Sequence, residues 1–165
     1  MIRPATAADA KAVAEIYNHY ILHTFVTFEE DKVDAAEMKR RIAEVEDAGM
    51  PWLVAEVAGK VMGYAYAAPW HKRRGYRFSA EVTVYLAQDA GGHGIGSQLY
   101  RPLLDELRVN GFKNAIGGIG LPNDASVKLH EKFGFKKVAN YERIGVKFGT
   151  WMDVGYWQLR LEDAK

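Results

Sequence analysis

Apolar residues recur at intervals of three or four positions in four segments of the chain, which is the spacing of amphipathic helices. In the third segment the apolar positions are Ile95, Leu99, Leu103 and Leu107, all on one helical face. The last three segments stop at a glycine, which commonly follows the last helical turn. The predicted helices start near Thr6, Asp34, Ile95 and Asn123, and the last three end at Gly49, Gly111 and Gly134.

Alternating apolar and polar positions predict extended strands between the helices. The tripeptide Ala58-Gly59-Lys60 is a tight turn between the first two strands, and Pro69 to Arg77 is a polar, basic loop. The expected fold class is therefore α+β, with a mixed and mostly antiparallel central sheet flanked by helices on both faces. The predicted strands span residues 52–57, 61–68, 78–86, 112–119, 136–144 and 151–161.

The composition is that of an ordinary globular chain, with 48% hydrophobic and 26% charged residues. No linker or repeat interrupts residues 1–165, which predicts a single domain. The formal net charge is +1, so no overall field favours nucleic acid or an anionic membrane. The N-terminus lacks the apolar region of a signal peptide, and no run approaches the ~20 apolar residues of a membrane helix. These features predict a cytoplasmic protein.

The chain has no cysteine. Disulfides, thiolate-bound metals and a cysteine nucleophile are therefore excluded, and acyl chemistry has to use another nucleophile or a direct transfer. The residues His19, His23 and His71 do not show the spacing of metal ligands, so no metal site is expected.

The most informative segment is a predicted strand that ends at Leu86, followed by the glycine-rich run from Gly91 to Ser97 and then by a helix. Glycines allow the backbone to approach a ligand closely, and the first turn of a helix offers free N–H groups at its positive end. This arrangement predicts an anion site, most often for phosphate. It is neither a Walker loop, because no Gly-Lys-Ser/Thr follows, nor the G-x-G-x-x-G pattern of dinucleotide sites.

A second motif runs from Asn123 to Phe135 and reads Asn-Asp-Ala-Ser-Val-Lys-Leu-His-Glu-Lys-Phe-Gly-Phe. Together with the strand and the glycine run, it resembles the GNAT superfamily of N-acetyltransferases. There a strand precedes Arg/Gln-x-x-Gly-x-Gly/Ala, and Asn-x-x-Ser/Ala and Leu-Tyr/His-x-x-x-Gly-Phe follow. The resemblance implies the GNAT fold and acetyl-CoA as co-substrate. One departure is Gly91, which stands where the superfamily has Arg or Gln, so the grip on phosphate has to rest mainly on backbone N–H groups.

A closer resemblance, to the phosphinothricin and methionine sulfoximine acetyltransferase family, spans nearly the whole chain. It implies direct transfer of acetyl to the α-amino group of a small amino acid analogue, such as methionine sulfoximine, methionine sulfone or phosphinothricin. Two alternatives stay open: the acceptor is a peptide N-terminus or a polyamine, or the chain is a non-enzymatic acyl-CoA-binding module. The segments that carry the resemblance are 16–18, 27–30, 76–77 and 145–153.

The resemblance also implies roles for single residues. Glu81 is the general base, acting on the amine through a water; the alternative is a solvated glutamate at a sheet edge. His130 protonates the leaving thiolate or contacts the cofactor; the alternative is a histidine packed between helix and sheet. Backbone N–H groups around Tyr85 and Leu86 would support the oxyanion. The residues implied in cofactor binding are Val84, Tyr85, Leu86, Gly92, His93, Gly94, Ile95, Gly96, Ser97, Asn123 and Ser126.

The acceptor is expected beside the basic loop, where an arginine would bind a carboxylate bidentately. The residues implied in acceptor binding are Phe28, Arg74, Gly75, Tyr76 and Arg77. The resemblance places the C-terminal hairpin, with Lys147, Phe148 and Trp151, at the interface of a homodimer. The alternative is an aromatic hairpin that fills its own core.

Overall fold

The computed structural model describes residues 1–162, and its strands form one seven-stranded sheet. The helices are α1 (Ala10–His23), α2 (Ala35–Asp47), α3 (Ile95–Val109) and α4 (Asp124–Lys132). The strands are β1 (Ile2–Pro4), β2 (Trp52–Val57), β3 (Lys60–Pro69), β4 (Ser79–Leu86), β5 (Asn114–Leu121), β6 (Lys136–Lys147) and β7 (Thr150–Arg160). Short 3-10 turns lie at Ala7–Asp9, Arg74–Tyr76 and Gln88–Ala90.

The strand order across the sheet is β1-β2-β3-β4-β5-β7-β6, and every neighbouring pair is antiparallel except β4 and β5. Successive residues of a strand face opposite sides of the sheet. The Tyr85 ring of β4 packs against Tyr17 and Tyr20 of α1, with ring centroids 5.1 and 5.0 Å apart. Leu86 lies on the opposite face, near Leu99 of α3. Helices therefore cover both faces, and the expected α+β class with a mixed, mostly antiparallel sheet is confirmed.

The apolar stripe of α3 forms the centre of the core under the sheet. The side chains of Leu99, Leu103 and Leu107 are all 0% exposed, and Ile95 is buried at the first turn. This agrees with the helical spacing of the sequence, because burial of one continuous stripe is what stabilises an amphipathic helix in a folded protein.

The sequence pattern missed β1, because three residues that end in a proline are too few to show alternation. Strand β1 pairs only with β2 and forms one edge of the sheet. Arg3 in β1 donates two hydrogen bonds of 2.8 Å to the Asp9 carboxylate, which also accepts the N–H of Thr6 at 2.8 Å. These contacts hold a 3-10 turn ahead of α1, so the α-helix begins at Ala10 rather than near Thr6.

The C-terminal hairpin of β6 and β7 is longer than predicted. Strand β6 continues past Ile144 to Lys147, and the turn follows at Phe148 and Gly149, whose φ angles are +50° and +72°. The register between the two strands shifts twice, which disrupts the alternation that the sequence prediction relied on. Strand β6 is the second edge of the sheet.

Within the described residues, no helix is long and apolar enough to cross a membrane. The same residues contain no group of three His, Cys, Asp or Glu side chains placed to hold a metal ion. The single domain over residues 1–165 stays a prediction.

Candidate active site

The sheet opens between its two parallel strands. Residues Ser79–Glu81 of β4 pair with Asn114–Ile116 of β5, but β4 continues to Leu86 and β5 to Leu121. Beyond Glu81 the strands diverge, so backbone groups on their facing sides have no ladder partner there. A cavity of about 40 Å³ lies in this opening. Among its lining residues are Val26, Val84, Tyr85, Tyr100, Gly120, Asn123, Ser126 and His130.

Glu81 is the last residue of β4 that pairs with β5, and the next residue, Val82, lines this opening. Strand β4 is the central strand of the sheet. Burial raises the pKa of the Glu81 carboxyl, and the charge of His71 partly opposes that rise. Burial raises the pKa of Tyr100 and of Tyr156 as well, and the Glu81 charge adds to both shifts. Because β4 is the central strand, Glu81 does not lie at a sheet edge, as the alternative had it. A carboxyl with a raised pKa beside a cavity is suited to accept a proton.

His130 is 3% exposed and packs on β5, where a Cβ at Gly117 would lie 2.4 Å from its Nε2. Its Nδ1 is 2.7 Å from the carbonyl oxygen of Ser126, so Nδ1 carries the proton and donates it. Its Nε2 then accepts from the hydroxyl of Tyr100, at 2.8 Å. Burial lowers the pKa of His130, which keeps the ring neutral. The histidine is packed between helix and sheet as the alternative stated, and it also lines the opening.

The glycine-rich run leads directly into the first turn of α3. Gly92 and Gly94 have φ angles of +78° and +74°, which only glycine adopts without strain. Gly94 is the N-cap, so the N–H groups of Ile95, Gly96 and Ser97 begin the helix without intrahelical acceptors. His93 is exposed in the same run. The run therefore presents backbone donors at the positive end of a helix, and these donors fit a phosphate.

A groove of about 490 Å³ runs from the opening in the sheet to Gly91, the first residue of this run, while Gly92 to Ser97 are not among its lining residues. The Asn123 side chain caps α4 by accepting the N–H of Ser126 at 3.2 Å, and both residues line the groove. Leu129 is a further lining residue, and it packs against Gly96, where a Cβ would lie 3.2 Å from its Cδ2. Of the predicted cofactor residues, Val84, Leu86, Asn123 and Ser126 line the groove, and Tyr85 lines only the opening.

The basic loop folds over the other end of β4. A cavity of about 770 Å³ there is lined by Pro69, Trp70, His71, Lys72, Arg73 and Tyr76. The Trp70 ring meets Tyr156 of β7 edge-on at 5.5 Å, and the His71 and Tyr76 rings meet at 5.2 Å. Among the predicted acceptor residues, only Tyr76 lines this cavity.

The other predicted acceptor residues are not among those that line this cavity. Arg77 stacks on Phe78 at 4.4 Å and donates to the Arg74 carbonyl at 3.1 Å. Gly75 is exposed beside them. Phe28 rests on β6, where a Cβ at Gly145 would lie 2.6 Å from the phenyl ring. Their roles in acceptor binding stay predictions.

Three of the residues that sequence reasoning missed at the site are Tyr100, Val26 and Arg73. Tyr100 sits on α3 among the apolar positions and is fully buried, so periodicity alone marks it as core. Val26 lies in the irregular segment after α1 and has no pattern. Arg73 lines the loop cavity, whereas the sequence favoured its neighbours. Only the loop's overall basic character could have pointed to Arg73.

Comparison with known proteins identifies the family of the chain. Residues 2–155 match the acetyltransferase (GNAT) domain family. The chain is 45% identical to the phosphinothricin N-acetyltransferase of Streptomyces viridochromogenes, covering 98% of this chain and 87% of that one. It is 38% identical to the L-methionine sulfoximine/L-methionine sulfone acetyltransferase of Salmonella typhimurium, covering 98% and 95%.

A solved structure shares the architecture. The phosphinothricin acetyltransferase of Sinorhizobium meliloti, of the GNAT superfamily and in complex with acetyl-CoA, superposes with a TM-score of 0.94. Its sequence identity is 35%, over 97% of this chain and 87% of that chain. The fold and the site thus define an acyltransferase. The chain belongs to the GNAT acetyltransferase family, and the expected acetyl-CoA-dependent N-acetyltransferase is confirmed.

Proposed function

We propose that this enzyme transfers the acetyl group of acetyl-CoA directly to the α-amino group of a small amino acid analogue, such as phosphinothricin, methionine sulfoximine or methionine sulfone. The observation that carries the proposal is the partly buried Glu81 carboxyl, whose position in β4 lies between two sites. One is the cofactor groove with its helix N-terminus. The other is a cavity lined by basic and aromatic residues. Relatives named for these acceptors, similar over nearly the whole chain, support it.

Glu81 would remove the proton that the amine has to lose before it attacks. An α-ammonium group has a pKa near ~7.7–8.0, so a carboxylate whose own pKa is raised is a better matched base than an ordinary glutamate. The proton passes from the amine nitrogen, through a water, to a carboxylate oxygen of Glu81. The acetyl carbonyl carbon gains the bond to nitrogen and loses its bond to sulfur.

The divergence of β4 from β5 leaves backbone N–H groups near Tyr85 and Leu86 free to stabilise negative charge on the carbonyl oxygen. Tyr100 and His130 lie in the same opening, where the Tyr100 hydroxyl donates its proton to the Nε2 of His130. We propose that this hydroxyl turns from His130 to the sulfur as the carbon–sulfur bond breaks and gives its proton to the leaving thiolate, and that the resulting phenolate takes a proton from water when CoA leaves. The Ser97 N–H and its neighbours in α3 would hold the pyrophosphate.

The charge of the loop cavity favours an acidic acceptor over a polyamine. Lys72 and Arg73 are among its lining residues, and the lining includes no aspartate or glutamate. A carboxylate and a phosphinate are both attracted to such a site, whereas a polyamine requires acidic groups. The small analogue is therefore preferred over the polyamine alternative.

A direct assay tests the acceptor. The protein is mixed with acetyl-CoA and, in separate reactions, phosphinothricin, methionine sulfoximine, methionine sulfone, spermidine or an alanyl peptide, and release of CoA thiol is followed. We expect turnover with at least one of the first three compounds and a much lower kcat/KM with the other two. Turnover confined to spermidine or the peptide would show that the proposed acceptor is wrong, while the assignment as an N-acetyltransferase would remain correct.

Replacing Gly91 with arginine is expected to tighten acetyl-CoA binding. Gly91 has an ordinary φ of −66°, and a Cβ there meets nothing within 4 Å, so the side chain fits without strain. The added guanidinium would reach phosphate and gain about 1–1.4 kcal/mol, or roughly tenfold in Kd. Calorimetry at low and high salt checks this, with Gly91→Ala as the control. An unchanged Kd would show that the run does not face the phosphates.

We propose that the enzyme is a homodimer through its C-terminal hairpin. The hairpin lies at a sheet edge and exposes large apolar side chains to 46–59%, and such an edge is prone to association. The side chains are Val138, Tyr141, Ile144, Val146, Phe148 and Trp151. Sedimentation equilibrium of Ile144→Glu against wild type checks this, since a charge in the interface should give monomer.

The cytoplasmic location stays a prediction.

A further inference from the structure

Lys147, the last residue of β6, is buried without a counter-ion. Its side chain is 1% exposed, and no carboxylate of the described residues lies within salt-bridge distance of its Nζ. A buried ammonium is costly unless each of its donors is satisfied. The three N–H donors of this ammonium therefore need acceptors inside the protein.

All three donors of the ammonium are directed at backbone carbonyls around the end of α1. Nζ lies 2.7 Å from the Thr24 oxygen, 2.8 Å from the Thr27 oxygen and 3.3 Å from the Tyr20 oxygen. The last carbonyls of a helix carry its negative partial charge, so a cation is favoured there. Lys147 thus fastens the segment 24–28, which we call the wall segment, to the C-terminal hairpin.

The wall segment rests on two glycines of the sheet. A Cβ at Gly120 of β5 would lie 3.0 Å from the Phe25 carbonyl oxygen. A Cβ at Gly145 of β6 would lie 2.6 Å from the Phe28 ring. The absence of side chains at both positions lets the segment lie flat on the sheet, and Lys147 holds it there from one end.

The wall segment borders the reaction site, although Lys147 does not. Val26 lines both the cofactor groove and the opening between β4 and β5. Gly120 lies on the same face of β5 as Ile116, which pairs with Glu81. The segment is therefore on the side from which an amine reaches Glu81. Lys147 lines neither cavity and is too deeply buried to meet the acceptor.

We propose that Lys147 is a positioning residue for acetyl transfer: by holding the wall segment against Gly120 and Gly145, it sets the acceptor side of the opening in the sheet. The proposal rests on acetyl transfer at the site described above. Its consequence is a specific kinetic defect when the ammonium is removed, because the Thr24 and Thr27 carbonyls lose this donor and the segment loosens, whereas the Tyr20 carbonyl still accepts from Thr24. Val26 is the one residue of the wall segment that lines the cofactor groove, and the glycine-rich run before α3 makes no contact with Lys147, so cofactor binding should change less than acceptor binding.

The test compares Lys147→Met with wild type and with Lys136→Met, the same change at an exposed position of the same strand. For Lys147→Met we expect the acceptor KM to rise about tenfold and the acetyl-CoA KM to change less than threefold. Amide exchange should speed up about tenfold in residues 24–28 and stay unchanged in α3. Lys147→Arg should recover part of the acceptor KM, since a planar guanidinium meets only some of three converging carbonyls. Lys136→Met should match wild type.

Two results overturn the proposal: unchanged exchange in residues 24–28, or equal rises in both KM values with faster exchange throughout the sheet. If Lys147→Met does not fold, Gly145→Ala displaces Phe28 with the ammonium retained, and the same KM split is expected. An unchanged acceptor KM in Gly145→Ala then rejects the role of the segment. The exchange measurement needs no acceptor and therefore tests this proposal by itself. A wrong acceptor would instead be recognised because the wild type shows no turnover.

Discussion

Glu81→Gln is expected to lower kcat for acetyl transfer by about 10²–10⁴-fold, the usual contribution of a general base. Glutamine keeps the size of the side chain and cannot accept the amine proton. The acetyl-CoA Kd should stay unchanged, because the helix N-terminus that would hold the phosphates is at the other end of β4. Thiol release under saturating acetyl-CoA measures the rate, and Glu142→Gln on exposed β6 is the matched control. Turnover within threefold of wild type would reject the base assignment.

The same variant is expected to be at least as stable as wild type at pH 7. Burial raises the pKa of Glu81 in the folded state, so the folded protein holds this proton more tightly than the unfolded chain does. The resulting stabilisation is fully present below the unfolded pKa, near ~4.3, and is lost as the pH rises through the folded pKa. At neutral pH the buried carboxylate is therefore a cost that glutamine removes. A markedly lower Tm would show that Glu81 is structural.

The pH dependence of kcat/KM should report the same carboxyl. Since the carboxylate is the active form, the rate should rise with pH above the ordinary glutamate range near ~4.3, and this rise should vanish in Glu81→Gln.

The sequence was sufficient to predict those structural features of this enzyme that depend only on neighbouring residues in the chain. The helical stripe of α3, the positive-φ glycines at 92 and 94 and the cap at Asn123 are each set by a few neighbouring residues. The motifs at 91–97 and 123–135 therefore identified the family. The basic loop was less predictable, because which of Lys72 to Arg77 faces a cavity depends on where Trp70 meets Tyr156 of β7.

Contacts between distant segments could not be predicted from the periodicity of helices or strands. Tyr100 and His130 are thirty residues apart and meet only because α3 and α4 cover the same face of the sheet. Lys147 reads as an ordinary strand lysine, yet its partners are more than a hundred residues earlier. The role of such a residue becomes visible only when the hydrogen-bond partners of each buried polar group are examined in the structure, because periodicity does not reveal them.

Tyr100→Phe is expected to lower kcat about 10²-fold and the free energy of unfolding by about 1–3 kcal/mol. The substitution removes one oxygen and leaves the Nε2 of His130 as a buried acceptor without a donor. Both residues are buried, Tyr100 at 0% and His130 at 3% exposure, so solvent does not readily replace the hydroxyl. Tyr64→Phe is the matched control, because Tyr64 is equally buried but packs on Trp52, on the other face of the sheet.

A double-mutant cycle shows whether Tyr100 and His130 act as one unit. If His130 serves to position the Tyr100 hydroxyl, His130→Gln should lower kcat, and the double variant should lose little more activity than Tyr100→Phe alone. Additive losses would mean that His130 acts on the substrate or cofactor independently. A loss of stability in Tyr100→Phe without a loss of kcat would confine the pair to packing, and the thiolate would then take its proton from a group other than Tyr100.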